Sequence, residues 1–348
     1  RSRTLSLDRD EIMTRQGKTL SGMDEGELGT DKDLQLAEPL DTWAPEAHGS
    51  SARVFSGFLR SPTGKGSQFA LKIMRPERVE YALPLFKEEA QILTMLREVP
   101  GITPLIECGF MQLEEGLDFP SETSKAPSDY LRGKVIRYGA EEVQNFLISL
   151  ERQIELGWLP YLALVKRDQQ LTLIEYCDAG YTHGWFLPLQ ESLLLAIQVC
   201  DILKIAHDRN IAYRDHKILH YYWDPDSHGV VMIDWNIAKR YTEGFSDAER
   251  QFDLVQFGAR ALHHILTGRP APGALPLGPN RPEEIENASL SYTVKWTYDD
   301  ERFPNLVKEL LEQVLKQGYT HIRDLQADLV QVYEQVSNQV QDGIQPHE

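Results

Sequence analysis

The sequence predicts an α+β protein of two lobes, a small β-rich lobe followed by a larger helical one. Two observations predict it. Runs rich in aromatic and branched residues, Val54-Phe55-Ser56-Gly57-Phe58-Leu59, Gln68-Phe69-Ala70-Leu71-Lys72-Ile73-Met74 and 102–110, mark the early part of the chain. Beyond Gly180 apolar residues recur at helical spacing instead, over 190–209, 250–267, 305–317 and 322–336. No internal repeat is visible, so the two halves are unlike each other.

Taken in order, residues 1–38 are polar, charged and glycine-spotted, and a mobile tail is expected there. The first two strand runs flank Ser61-Pro62-Thr63-Gly64-Lys65-Gly66, a good turn. Residues 84–96 are expected to be helical, with Leu85, Phe86, Ala90, Ile92, Leu93 and Leu96 on one face. A strand returns at 102–110. Residues 112–138 read as a polar Pro-, Gly- and Ser-rich insertion, extended to 156 by an amphipathic helix over 140–156. Residues 161–165 and 171–176 are expected to pair as a hairpin across Arg167-Asp168-Gln169-Gln170. Gly268 and Pro270 end the helix over 250–267, and a Pro- and Gly-rich loop fills 270–292. The expected division is a tail at 1–38, a first lobe at 39–178, a second at 179–340 and a short tail at 341–348.

The 348 residues are 41% hydrophobic, enough for a substantial core. The net charge of −17 argues against nucleic-acid and anionic-membrane partners, because phosphates attract basic surfaces. Cys108, Cys177 and Cys200 are odd in number and far apart, which indicates neither a disulfide framework nor a cysteine zinc site. A reducing cytoplasm is the expected compartment. No apolar run reaches the roughly 20 residues that span a bilayer, and no signal peptide is expected at the N-terminus, which starts with Arg1.

The chemistry concentrates in a few segments. Tyr213-Arg214-Asp215-His216-Lys217-Ile218-Leu219-His220 is followed by an apolar run, Val230-Val231-Met232-Ile233, that delivers Asp234-Trp235-Asn236. Upstream stand Ala70-Leu71-Lys72 and Glu89-Ala90-Gln91-Ile92-Leu93. Downstream stands Asp253-Leu254-Val255-Gln256-Phe257-Gly258. In this order and spacing the segments resemble the eukaryotic-like Ser/Thr protein kinase family, over roughly residues 40–335.

The resemblance implies the two-lobed kinase fold, ATP with Mg²⁺ or Mn²⁺, and a protein substrate or signalling partner. It implies that Lys72 grips the phosphates and that Glu89 fixes it, the neighbouring Glu88 falling on another helix face. Val54 and Ala70 stand at the family's nucleotide-site positions. The segment Ala47-His48-Gly49-Ser50-Ser51-Ala52-Arg53-Val54 keeps only Gly49 of three loop glycines, with Ser50 adding a hydroxyl. The backbone of Glu175 and Cys177 corresponds to the hinge that pairs with adenine, with Ile174 behind it. Asp215 corresponds to the base, Lys217 to the group that steadies the γ-phosphate, and Asp234 to the metal ligand. Asp253 corresponds to a tether for the catalytic loop, and His207 is expected to be a core histidine.

The departures carry expectations of their own. His220 stands where the family has asparagine, and its nitrogen suits manganese or zinc better than magnesium. Tyr213 replaces a histidine, Trp235 keeps a large apolar plug, and Asn236 replaces glycine as a residue that tolerates positive φ. Sixteen residues, 237–252, separate Asn236 from Asp253, about half the family's usual length, and that segment holds no A-P-E. Thr242 and Ser246 are the remaining hydroxyls for modification there. The leading expectation is phosphoryl transfer to Ser or Thr of a protein. A pseudokinase acting as an interaction module and a small-molecule kinase are the alternatives.

Overall fold

The computed structural model describes residues 34–41, 51–60, 66–113, 131–176, 187–268, 304–316 and 318–341. The protein is α+β, and its contacts divide it into two units, Arg1–Arg167 and Asp168–Glu348.

In the first unit six strands close into an antiparallel barrel. They are β1 (Leu34–Pro39), β2 (Ala52–Arg60), β3 (Gly66–Met74), β4 (Leu105–Leu113), β5 (Leu131–Gly139) and β6 (Leu159–Leu164). The order round the barrel is β1-β2-β3-β6-β4-β5, and β5 meets β1 again through Leu34↔Gly133 and Leu36↔Leu131. Side chains alternate across each strand. Leu36, Phe55, Leu59, Phe69, Leu71, Ile73, Met111, Tyr161 and Ala163 therefore form one buried cluster. Burying a large side chain of this kind contributes roughly 1.5–3 kcal/mol, so the interior is the main stabiliser of the unit.

Two glycines make that filling feasible. A Cβ at Gly57 would stand 2.5 Å from Leu71 Cδ1. A Cβ at Gly109 would overlap the Ile136 carbonyl oxygen and stand 2.8 Å from the Tyr161 hydroxyl. That hydroxyl donates to Glu107 Oε1 at 2.8 Å, and Arg137 grips the same carboxylate with two nitrogens. Glu107 is thus a buried charge with its hydrogen bonds met. Burial first, then the Glu107 charge, push the Tyr161 phenol well above its ordinary value. Outside the barrel lie α1 (Val79–Met95) and α2 (Val143–Glu155), bridged by Lys87 and Glu151 at 2.8 Å. Helix α1 begins before Pro84 and contains it. The missing proline N–H deprives only the Glu80 carbonyl, while Ala82, Phe86, Ala90 and Leu93 are buried.

Three expectations need correction. Residues 34–38, assigned to a mobile tail, belong to β1, because Leu36 fills the barrel. Residues 131–138, assigned to a polar insertion, belong to β5, whose ladder to β4 runs from Leu113↔Gly133 to Glu107↔Gly139. Residues 171–176 form no hairpin strand. Asp168 accepts the Gln170 N–H, Thr172 Oγ1 donates to Gln169 O, and Glu175 N–H donates to Thr172 O. These local bonds curl the backbone into a 3₁₀ and helical turn. Residues 1–33, the turn over 61–65, most of the 112–138 insertion and the 270–292 loop lie outside the described residues.

The second unit is built on α3 (Leu189–Asp208), whose apolar side is buried from Leu193 to Ala206. Alongside runs α7 (Ile322–Gln341), joined through Gln326 to Asp201 and Ile197 O. Two short ladders follow α3: β7 (Ile211–Ala212) with β10 (Lys239–Arg240), and β8 (Tyr221–Asp224) with β9 (Gly229–Met232). Helix α4 (Asp247–Phe257) continues through a π-helical turn, Gly258–Leu262, into α5 (His263–Thr267). Gly268, at φ 69°, ends it as the sequence predicts. Helix α6 (Asn305–Leu315) sits against Gly258, where any Cβ would overlap Val314.

Gly109→Ala should lower unfolding stability by about 3 kcal/mol or more, because the obstructing atom belongs to the backbone. Tyr161→Phe should cost about 1–2 kcal/mol. Urea unfolding followed by tryptophan fluorescence measures both, and equal small losses would contradict the packing described.

Candidate active site

Each unit carries its own cluster of predicted residues. In the first, alternation puts Lys72 on the opposite face of β3 from Leu71 and Ile73, towards α1. Its Nζ meets Glu89 Oε1 at 2.7 Å, with the side chains 5% and 1% exposed. The pairing falls to Glu89, as predicted, and not to Glu88. Val54 lies opposite Lys72 on β2, and Ala70 lies two residues before it, both half-buried. A cation so enclosed is held by its buried ion pair, and breaking such a pair costs several kcal/mol. Gly49 and Ser50 lie outside the described residues. A second buried ion pair joins Arg53 Nε to Asp41 Oδ2 at 2.7 Å.

In the second unit the organising group is Asp253 of α4. Its Oδ1 accepts Arg214 N–H at 2.7 Å and His216 Nε2 at 3.0 Å. Its Oδ2 accepts Tyr213 N–H at 3.0 Å and His207 Nε2 at 2.8 Å. Burial alone would raise this carboxyl. The His216 ring first, then the hydrogen bonds of His207 and His216, outweigh burial and hold it far below the usual carboxylate range. The tether role expected for Asp253 and the core role expected for His207 thus have their contacts. His216 is a partner that sequence reasoning missed. Its Nδ1 takes the Tyr221 hydroxyl at 2.8 Å, so both ring nitrogens are spent on structure.

The tethered segment runs through Arg214 at φ 67° to Asp215, and a 3₁₀ turn then carries His220. Tyr213 closes this segment onto the end of β9. Its hydroxyl donates to Ile233 O at 2.6 Å, and Ile233 N–H donates to His220 O at 3.0 Å. Asp234 comes next, at φ 58°. The left-handed residue is therefore Asp234 and not Asn236, a correction to the sequence reading. Trp235 is fully buried against Tyr213 at 4.8 Å, the apolar plug expected of it.

Asp215, His220 and Asp234 each present one donor atom, all within 4.8 Å of one another. His220 Nε2 lies 3.4 Å from Asp234 Oδ2, and its Nδ1 3.7 Å from Asp215 Oδ2. Two carboxylates and an imidazole form a donor set that fits a divalent cation. Lys217 Nζ stands 3.1 Å from Asp215 Oδ2 and is partly exposed. Burial, followed by neighbouring Tyr221 and Asp215, pushes the Tyr213 phenol well above its ordinary value, so it stays a donor.

The short segment after Asn236 is closed by its own side chains. Tyr241 and Phe245 stack at 4.9 Å, with Lys239 over the first ring and Arg250 over the second. Ser246 caps α4 and exchanges bonds with Glu249, so the hydroxyl considered for modification has a structural task. Glu175 is exposed in the helical turn described above, and Cys177 lies outside the described residues. Among the described residues no helix is long and apolar enough to cross a membrane. No known protein-family model matches the chain, and no curated protein matches it.

Asp253→Asn should destabilise the protein by about 3 kcal/mol, because the amide turns donors towards donors. The wild-type advantage is complete above the unfolded-state carboxylate value, about 3.9, and declines as pH falls below it. Urea unfolding of both proteins from pH 7 to pH 3 should show that gap narrowing only at the acid end.

Proposed function

We propose that this protein is a divergent protein kinase that transfers the γ-phosphoryl group of ATP to a Ser or Thr hydroxyl of a protein. One observation carries the reading: Asp215 and Asp234, which match two different kinase roles in sequence, converge on one buried histidine, His220. Phosphoryl transfer asks little covalent work of a protein. It asks for fixed charges and positioned groups. Lys72, locked by Glu89, is a fixed cation for phosphate oxygens. Asp215 accepts the proton of the attacking hydroxyl as its oxygen bonds to phosphorus and the bond to ADP breaks. Lys217 offsets negative charge on the transferred group. Asp234, with His220 and Asp215 beside it, is the holder of a divalent cation, Mg²⁺ or Mn²⁺. When bound, the cation supplies positive charge to the phosphates. Tyr213 and Asp253 keep these groups in register without touching substrate.

A small-molecule acceptor is the second reading, favoured by the short, self-stacked segment over 237–252 and its missing A-P-E. A third, a pseudokinase, predicts ATP binding without transfer.

The test is single-turnover incubation with γ-labelled ATP and generic protein acceptors, in Mg²⁺ and in Mn²⁺. Label should reach a Ser or Thr of a protein, and Asp215→Asn should slow transfer by about 10²–10⁴-fold. Thermal stabilisation by ATP with no transfer to protein or small-molecule hydroxyls would replace this reading with the pseudokinase. Transfer to small molecules alone would move it to the second.

A further inference from the structure

We propose that His220 coordinates the cation through Nε2, and that this nitrogen makes the site prefer Mn²⁺ to Mg²⁺. The inference deepens the phosphotransferase reading and concerns the metal alone.

It starts from the other ring nitrogen. The Tyr213 hydroxyl gives its proton to Ile233 O at 2.6 Å. Its oxygen can then only accept from His220 Nδ1, 3.2 Å away. The second neighbour of Nδ1 is the Asp215 carbonyl oxygen at 3.0 Å, also an acceptor. Nδ1 therefore carries the proton, and in the neutral ring Nε2 carries the lone pair.

That lone pair, on a His220 side chain 3% exposed, faces Asp234 Oδ2 at 3.4 Å. Lone pair against carboxylate oxygen is repulsive unless positive charge lies between them. A proton on Nε2 or a metal ion would each supply it. Three features point to the metal. Asp215 adds a second carboxylate within 4.8 Å. Two ligands about 2.1 Å from one ion lie roughly 3.0–3.4 Å apart at octahedral-cis or tetrahedral angles, which is the separation here. Finally, a metal-bound histidine characteristically donates its other N–H to a carbonyl, as Nδ1 does to Asp215. Magnesium prefers an all-oxygen shell, whereas manganese accepts carboxylate and imidazole together.

The experiment uses the full chain with Mn²⁺ alone and again with Mn²⁺ and ADP. The free-ion electron paramagnetic resonance signal gives the affinity, competition gives that of Mg²⁺, and electron spin-echo modulation reads ¹⁴N on the metal. The expected result is ¹⁴N modulation from one imidazole and at least tenfold tighter binding of Mn²⁺ than of Mg²⁺. His220→Asn and His220→Gln, shown folded by circular dichroism, should abolish the modulation and reduce the preference about tenfold. Absent modulation in the wild type, modulation unchanged in both variants, or no Mn²⁺ bound would overturn the proposal. The wild-type spectrum decides even where neither variant folds. Nitrogen-bound Mn²⁺ without phosphoryl transfer would uphold this inference and sink the kinase reading. Transfer without nitrogen coupling would do the reverse.

Discussion

The ionised carboxylate of Asp253 is the constraint on which the second unit's central loop depends. A charge removed from water costs several kcal/mol unless donors surround it. Here four do, from His207, Tyr213, Arg214 and His216. Two are backbone groups, so satisfying the charge fixes the path of the chain. Arg214 is drawn into the left-handed region at φ 67°, a strain of order 1–3 kcal/mol that the bond to Asp253 holds in place. Two tight turns follow, Asp215 N–H to Tyr213 O at 2.9 Å and Lys217 N–H to Asp215 O at 2.7 Å. The position of Asp215 is thus set by a residue thirty-eight positions downstream.

Asp234 is set from the other direction. Ile233 is pinned through its oxygen by Tyr213 and through its nitrogen by the His220 carbonyl. The first unit applies the same principle to a cation. Lys72 is enclosed with Glu89, and in the barrel that carries it another buried carboxylate, Glu107, ties β4 to β5 and β6 through Arg137 and Tyr161. In each case a buried charge whose partners come from distant parts of the chain enforces the local geometry.

Much of this was legible in the sequence. The helices over 190–209, 305–317 and 322–336 follow from apolar periodicity, and the pairing of Lys72 with Glu89 from motif and helix face. What escaped was nonlocal. Leu34–Pro39 is short, and its hydrophobic content earns meaning only from closure against β5, about a hundred residues away. Residues 131–139 carry Arg132, Lys134, Arg137 and two glycines, a composition that breaks strand alternation and resembles a loop. Residues 171–176 have strand-like composition, and two local hydrogen bonds, Gln170 N–H to Asp168 and Thr172 Oγ1 to Gln169 O, overrule it. Within the site, residue types were readable and orientations were not. His216 and His220 sit four apart in sequence, yet one ring serves Asp253 and the other faces Asp234. That choice depends on Tyr221 and Tyr213, whose hydroxyls carry no sequence signal.

Closure of the barrel has a consequence for recognition. An open sheet leaves a row of unpaired N–H and C=O groups along each edge, a template on which an extended peptide adds as a further strand. Here β1 and β5, the first and last strands in the ring, pair with each other. Among the described residues the six-stranded ring has no terminal strand, although β1 covers β5 only over Leu131–Gly133 and leaves Lys134–Gly139 beyond that pairing. Where Leu34–Leu36 meets Leu131–Gly133, strand addition has no free edge to use. Among the described residues the unit also presents exposed large apolar side chains that a partner can read: Ile148, 82% exposed on α2, Leu156 just after it, and Tyr81 and Met95 on α1.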